Sequence, residues 1–265
     1  MKNPFSFYKI FGQLLRVDLS ISMDGFIGKY LDIAIWITLA AFAGAYVFPA
    51  LGMSSGYAAI MATAAIVSNA TFDLFDGGAS LVADYDGERT ITYPLTLSIP
   101  GWLLFVKFAF GRALYLMALS LIVLPLNKLV LMEKLSFAEF NIFKFVVIYI
   151  TMHICAGFLS VWASSMPSVG DFSGILRLWR RNLFPLWWLG GAVFPYFAIA
   201  SAFPKLSKLF LLNPFLWANE ALRGAVLGTQ TPTLPFWPLV GALWLTIFIL
   251  GWWGISRLQK RLDFV

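Results

Sequence analysis

Residues 33–72 read IAIWITLAAFAGAYVFPALGMSSGYAAIMATAAIVSNATF, forty residues without one Asp, Glu, Lys or Arg. A helix rises about 1.5 Å per residue, so a hydrocarbon core of roughly 30 Å is crossed by about 20 residues. The run is therefore long enough for two crossings. Pro49, Gly52, Ser54, Ser55 and Gly56 interrupt it near its middle, and such a cluster marks a turn. One span over 31–50 and a second over 57–76 are predicted, which sets the fold class as an all-α integral membrane protein.

Composition agrees. Of 265 residues, 60% are hydrophobic and 12% charged, and the mean hydropathy is +0.81, outside the range of ordinary soluble domains. Upstream, Lys9, Gln13, Arg16 and Ser20 recur at helical spacing opposite Phe7, Phe11, Leu14 and Leu15, which predicts an interfacial amphipathic helix over 5–22. Asp18 falls near the middle of its apolar side. No cleavable signal is visible there. Downstream, Asp84-Tyr85-Asp86-Gly87-Glu88-Arg89 is the densest run of charge in the chain and reads as a water-exposed island. It is followed by 92–102, where Pro94 and Pro100 suit a short surface helix.

Further spans are predicted over 108–127, 145–166, 184–202 and 236–256, making six, with Lys107 and Arg112 marking the start of the third. Between the last two, residues 205–228 are semi-polar. Their uncharged run Phe210–Asn219 is too short to cross, which predicts an outer re-entrant or interfacial helical piece. With the N-terminus inside, the inner segments hold 13 basic residues, at positions 2, 9, 16, 29, 89, 107, 112, 177, 180, 181, 257, 260 and 261. The outer segments hold six, at 128, 134, 144, 205, 208 and 223, and together these account for all 19. The positive-inside rule then places both termini and the island in the cytoplasm of an inner, or plasma, membrane.

Several chemistries are excluded or weak. There is no phosphate-binding Gly-x-x-x-x-Gly-Lys-Ser/Thr motif. The basic residues sit at the ends of apolar segments, so nucleic acid is not a predicted partner. His153 and Cys155 lie inside an apolar run and read as a satisfied polar residue and a packed thiol. Asp73 and Asp76, one turn apart, could hold a divalent metal in a lipid-modifying enzyme, but Ser80 stands where the signature of the phosphatidyl-alcohol transferases carries Arg, and a solvated acidic helix end is expected instead. Asp32 and Arg112 read as anchors at cytoplasmic helix ends. Glu220 and Arg223, three apart, are expected to pair.

Taken in order, Gly56-Tyr57-Ala58-Ala59, Ala70-Thr71-Phe72-Asp73, the island with Tyr93-Pro94-Leu95-Thr96-Leu97-Ser98-Ile99-Pro100, Gly190-Gly191-Ala192-Val193-Phe194-Pro195, Leu212-Asn213-Pro214-Phe215, Glu220-Ala221-Leu222-Arg223-Gly224 and Leu227-Gly228 resemble the permease subunits of type-2 ABC exporters, the family of nodulation-factor, polysaccharide and drug export permeases. The resemblance implies a permease without ATPase or other enzymatic activity, likened to one half of a dimer of two copies. Each copy would be docked on a separate cytoplasmic ATPase that binds the ATP and Mg, with no cofactor in this chain. It implies that 84–100 is the coupling helix, with Asp84, Asp86, Glu88, Arg89, Tyr93 and Pro94 at the joint, and that Lys9 and Arg16 belong to the interfacial helix. It further implies that Asn213, Pro214, Glu220 and Arg223 belong to an outer gate, and that a lipid-linked, glycan-like or amphipathic substrate leaves the cytoplasm by alternating access. The tryptophan-rich 178–189 is heavier than that family pattern, which leaves room for an unusual loop or lipid contact. An intramembrane lipid enzyme and a secondary carrier are the alternatives.

Overall fold

A computed structural model describes residues 4–23, 25–52, 56–86, 100–168 and 171–262. Helix α1, Pro4–Met23, carries Lys9, Gln13, Arg16 and Ser20 on its exposed side. α2 runs Phe26–Ala50, loosened by one π-helical turn over Ala43–Val47. α3 is one uninterrupted helix, Tyr57–Asp86. α4, Gly101–Ser120, is followed after a two-residue break by α5, Val123–Leu131. α6 runs Ile142–Ser164, capped by the Asn141 side chain, which accepts from the Lys144 amide at 3.0 Å. α7, Phe172–Ala192, and α8, Tyr196–Ala202, meet at a bend of 92°. The short α9, Pro204–Phe210, and α10, Pro214–Val226, lead to α11, which begins at Phe236 and continues through a π-helical turn to Leu262.

Every described element is helical. Five helices are long and apolar enough to cross a membrane, six if the bent pair α7–α8 counts as one crossing. Large apolar side chains stand exposed along α2 and α11, among them Ile27, Leu31, Ile35, Leu39, Trp237, Leu245, Phe248 and Trp252. Such a surface suits lipid or another apolar chain and not water. Together these features support a multi-pass membrane protein.

α6 is the central post, packing against α3, α4, α10 and α11. Small residues allow the approach: a Cβ on Gly157 would overlap the Ala109 carbonyl of α4, and one on Gly254 would stand 2.7 Å from the Trp162 Cα. Without a hydrophobic force between helices in lipid, such close backbone contact is a main source of cohesion.

The helix limits differ from the predicted spans in ways that matter. α3 does not end near Asp76 but continues to Asp86, and Asp84 is 8% exposed. The island therefore begins as a buried helix end and not as a free loop. Asp86 closes that helix, while Glu88, Arg89, Tyr93 and Pro94 lie outside the described residues. α4 starts at Gly101, so Lys107 and Arg112 sit within a helix instead of flanking one. The predicted fifth span over 184–202 is broken at 193–195.

Candidate functional site

The N-terminal turns of α2 and the middle of α3 enclose a cleft of about 260 Å³ that also touches Leu119 of α4. One end is charged. Lys29 donates to Asp73 at 3.3 Å and to Asp76 at 2.8 Å, bridging two carboxylates one turn apart on α3. Arg112 reaches Asp73 from the opposite side through its carboxylate, and donates to the Asp73 carbonyl at 3.1 Å. Its guanidinium also lies 5.4 Å from the Tyr115 ring. Gly77 makes this possible, since a Cβ there would stand 2.9 Å from the Arg112 Nε. That Nε has no partner among the described residues.

Asp73 is thus 6% exposed and held between two cations, which corrects the expectation of a solvated acidic helix end. A carboxylate taken out of water needs such partners, because an unpaired buried charge costs several kcal/mol. The same geometry bears on the enzyme alternative. Lys29 stands where a metal bridging Asp73 and Asp76 would sit, and among the described residues no group of three His, Cys, Asp or Glu could hold a metal ion. Arg112, half-buried, is likewise an ion-pair partner and not a snorkelling anchor. Asp32, by contrast, is exposed on the cleft wall and makes no ion pair among the described residues.

The other end of the cleft is apolar and aromatic: Ile33, Trp36, Ile37, Ala65 and Phe72. Trp36 and Phe72 meet edge to face with centroids 6.1 Å apart. Phe72 also packs on Trp187 at 5.0 Å and Trp179 at 5.7 Å, and the Trp187 Nε1 donates to the Ser68 Oγ at 3.0 Å. The tryptophan-rich stretch is therefore helical, and Trp179 and Trp187 turn inward to back the cleft wall.

Asn69, on the same wall, starts a polar chain into the core. Its Nδ2 donates to the Ser120 Oγ at 2.9 Å, and the His153 Nε2 lies 3.1 Å from that oxygen. His153 Nδ1 is 2.6 Å from the Tyr149 carbonyl. A carbonyl only accepts, so Nδ1 carries the proton and Nε2 accepts from Ser120. The only histidine in the sequence is buried with both ring nitrogens bonded, as its sequence context implies.

The predicted gate residues form a separate cluster. Arg223 donates to Glu220 at 2.5 Å, and both side chains are fully buried, so the expected pair exists. Its surroundings were not legible. Arg223 also donates to the Gly191 carbonyl, Asn219 donates to that of Gly190 at 2.8 Å, and Asn213 donates to that of Leu186 at 2.6 Å. Across the bend, Glu220 accepts from the Tyr196 amide at 3.0 Å. α10 thus supplies donors to carbonyls at the end of α7 and an acceptor to the first amide of α8. Groups freed by a broken helix must find such partners away from water. Pro214 opens α10, with the Asn213 Oδ1 accepting from the Phe215 amide at 3.0 Å.

Lys107, 1% exposed, pairs with Asp18 of α1 at 2.8 Å. Burial pushes the Asp18 carboxyl above its usual range, against the opposing pull of Lys107. The acid on the apolar side of α1 and the lysine inside α4 are explained by each other. Lys9 and Arg16 remain on the exposed side of α1.

No protein-family model matches this sequence, and no curated protein matches it.

Proposed function

We propose that the chain is the membrane-spanning subunit of an ATP-driven exporter, powered by a separate cytoplasmic ATPase and moving an amphipathic substrate. The observation that carries this reading is the order of elements along the chain: an interfacial helix tied to the span at α4, a long α3 ending at the charged island, and a bent α7–α8 followed by short helices before α11. The interfacial helix, the island after the second long apolar helix and the short helices before the last one follow the order that the resemblance to type-2 exporter permeases implies, whereas the bent α7–α8 stands in place of the continuous fifth span predicted from the sequence. The cleft supports an amphipathic substrate, because it joins a charged end to an aromatic end within one cavity. Two copies complete the transporter, the exposed apolar face of α2 offering the contact between them. Motion is delivered at 84–100 as rigid-body rocking of packed helices, with Asp84, Asp86, Glu88, Arg89, Tyr93 and Pro94 at the joint.

The test is charge reversal at the island. Glu88→Lys and Arg89→Glu are expected to reach the membrane at wild-type level, read by fractionation, while ATP hydrolysis by the partner subunit no longer responds to this chain. Variants that fail to insert would mark the segment as a folding element and contradict its role as a joint.

A further inference from the structure

We infer that the cleft between α2 and α3 is the binding site for the headgroup of a cationic amphiphile, a single quaternary or protonated amine on an apolar tail. The inference rests on the amphipathic-substrate reading and narrows it. It stands on the charge count, on which charges are already engaged, and on where the aromatic rings lie.

Three carboxylates line or floor the cleft, those of Asp32, Asp73 and Asp76, against two cations, Lys29 and Arg112. The excess is one negative charge. Both cations are committed, Lys29 to Asp73 and Asp76, Arg112 to Asp73. Among the described residues, an anionic headgroup would therefore meet three carboxylates with no free cation beside them, whereas a cation finds a carboxylate at Asp32 that makes no ion pair. Asp76 adds to the attraction, its side chain 53% exposed despite its bond to Lys29.

Asp32 and Trp36 are four residues apart, so they stand one above the other on the same face of α2. Both line the cleft, and Trp36 is 46% exposed in it. A carboxylate beside an accessible indole suits an alkylammonium, which an aromatic face attracts through its quadrupole. Deeper, from Ile33 to Ile37 and across to Ala65 and Leu119, the lining is apolar apart from Asn69, whose amide donates to the Ser120 Oγ. From Lys29 to Ile37 the helix rises about 12 Å, the length of a short acyl segment. One charged end and one apolar end along a single axis is the shape of the ligand.

A photoreactive alkyltrimethylammonium carrying a diazirine in its tail tests this on the full-length chain in maltoside micelles, with no ATPase present. Labelled peptides are expected from within 29–37 and 65–76. Unlabelled dodecyltrimethylammonium should compete, and dodecyl sulfate and dodecanol should not. Asp32→Asn should weaken competition about tenfold, and Trp36→Leu about threefold. Both positions are exposed, and unchanged thermal unfolding of the variants checks that the fold survives. Labelling that maps elsewhere, equal competition by dodecyl sulfate, or an Asp32→Asn variant that binds like the wild type would overturn the assignment. Because the assay needs no ATP, the two readings fail separately: cation labelling of this cleft combined with failure of any ATPase to co-isolate from the native membrane would count against the exporter alone. A partner ATPase without cation binding would count against this site alone.

Discussion

Asp73 shows how a single residue changes meaning between sequence and structure. One turn from Asp76, it reads as half of an acidic pair, but its burial between Arg112 and Lys29 makes it the hub of three helices. Arg112→Met would leave a buried carboxylate with one partly exposed partner and should lower stability by about 3–5 kcal/mol. Adding Asp73→Asn should restore much of that loss, as read by thermal unfolding in detergent. An additive double variant would show that the pair is not coupled. Steric tolerance is as specific. Gly157→Ala places a methyl group on the Ala109 carbonyl and should cost about 1–3 kcal/mol by forcing α6 from α4. Gly12→Ala, which meets open space on α1, should leave the unfolding temperature unchanged or raised. Asp18 was visible as an anomaly on the apolar side of α1 and Lys107 read as a residue flanking a span, but their 89-residue separation put the pairing beyond any local pattern.

At the scale of elements, the bend between α7 and α8 depends on side chains from α10. Glu220→Gln or Arg223→Met alone should cost about 3–5 kcal/mol by leaving one buried charge unpaired, and Asn219→Ala about 1–3 kcal/mol by orphaning the Gly190 carbonyl. In hydrogen exchange, the Tyr196 amide should lose protection in Glu220→Gln while α6 keeps it. Uniform loss across both would contradict a local brace. The i, i+3 spacing made the Glu220–Arg223 pair legible, but the carbonyls it serves lie about thirty residues upstream and carry no sequence mark. Gly190-Gly191 and Pro195 are residue types that interrupt helices, and Gly191 takes φ +79°, but the apolar length around them led to a continuous span being predicted over 184–202. A second contact is set by pH. Glu139 accepts from the Thr229 hydroxyl at 2.8 Å and from its amide, which hold its carboxyl below the usual value of 4.5. A depressed carboxylate contributes stability above its unfolded value and loses it as pH falls through the folded one. The turn at 228–230 should therefore loosen only on acidification below about 4.5, seen as faster amide exchange at Thr229, and Glu139→Gln should blunt that dependence.

Over the whole molecule, the multi-pass helical character was legible because crossing length is a hard constraint that a charge-free run displays directly, while the predicted count of six is met only if the bent α7–α8 is one crossing. Where each helix begins was not, because Lys29, Lys107 and Arg112 resemble flanking residues until their partners on other helices are known. Removing Lys29, Lys107 and Arg112 from the loop count leaves 10 inner against six outer basic residues, so the orientation predicted from the sequence keeps its sign. The aromatic cluster of Trp179 and Trp187 on Phe72 joins the bent α7 to the cleft wall, a physical connection between the α7–α8 brace and the proposed binding site. That this chain works only with a separate ATPase is tested by affinity isolation of the tagged full-length chain from its native membrane in mild detergent. A phosphate-loop ATPase should co-isolate in near-equal amount and hydrolyse ATP with a proton ionophore present; a chain that purifies without such a subunit, or moves its cargo on a proton gradient alone, would contradict the exporter reading.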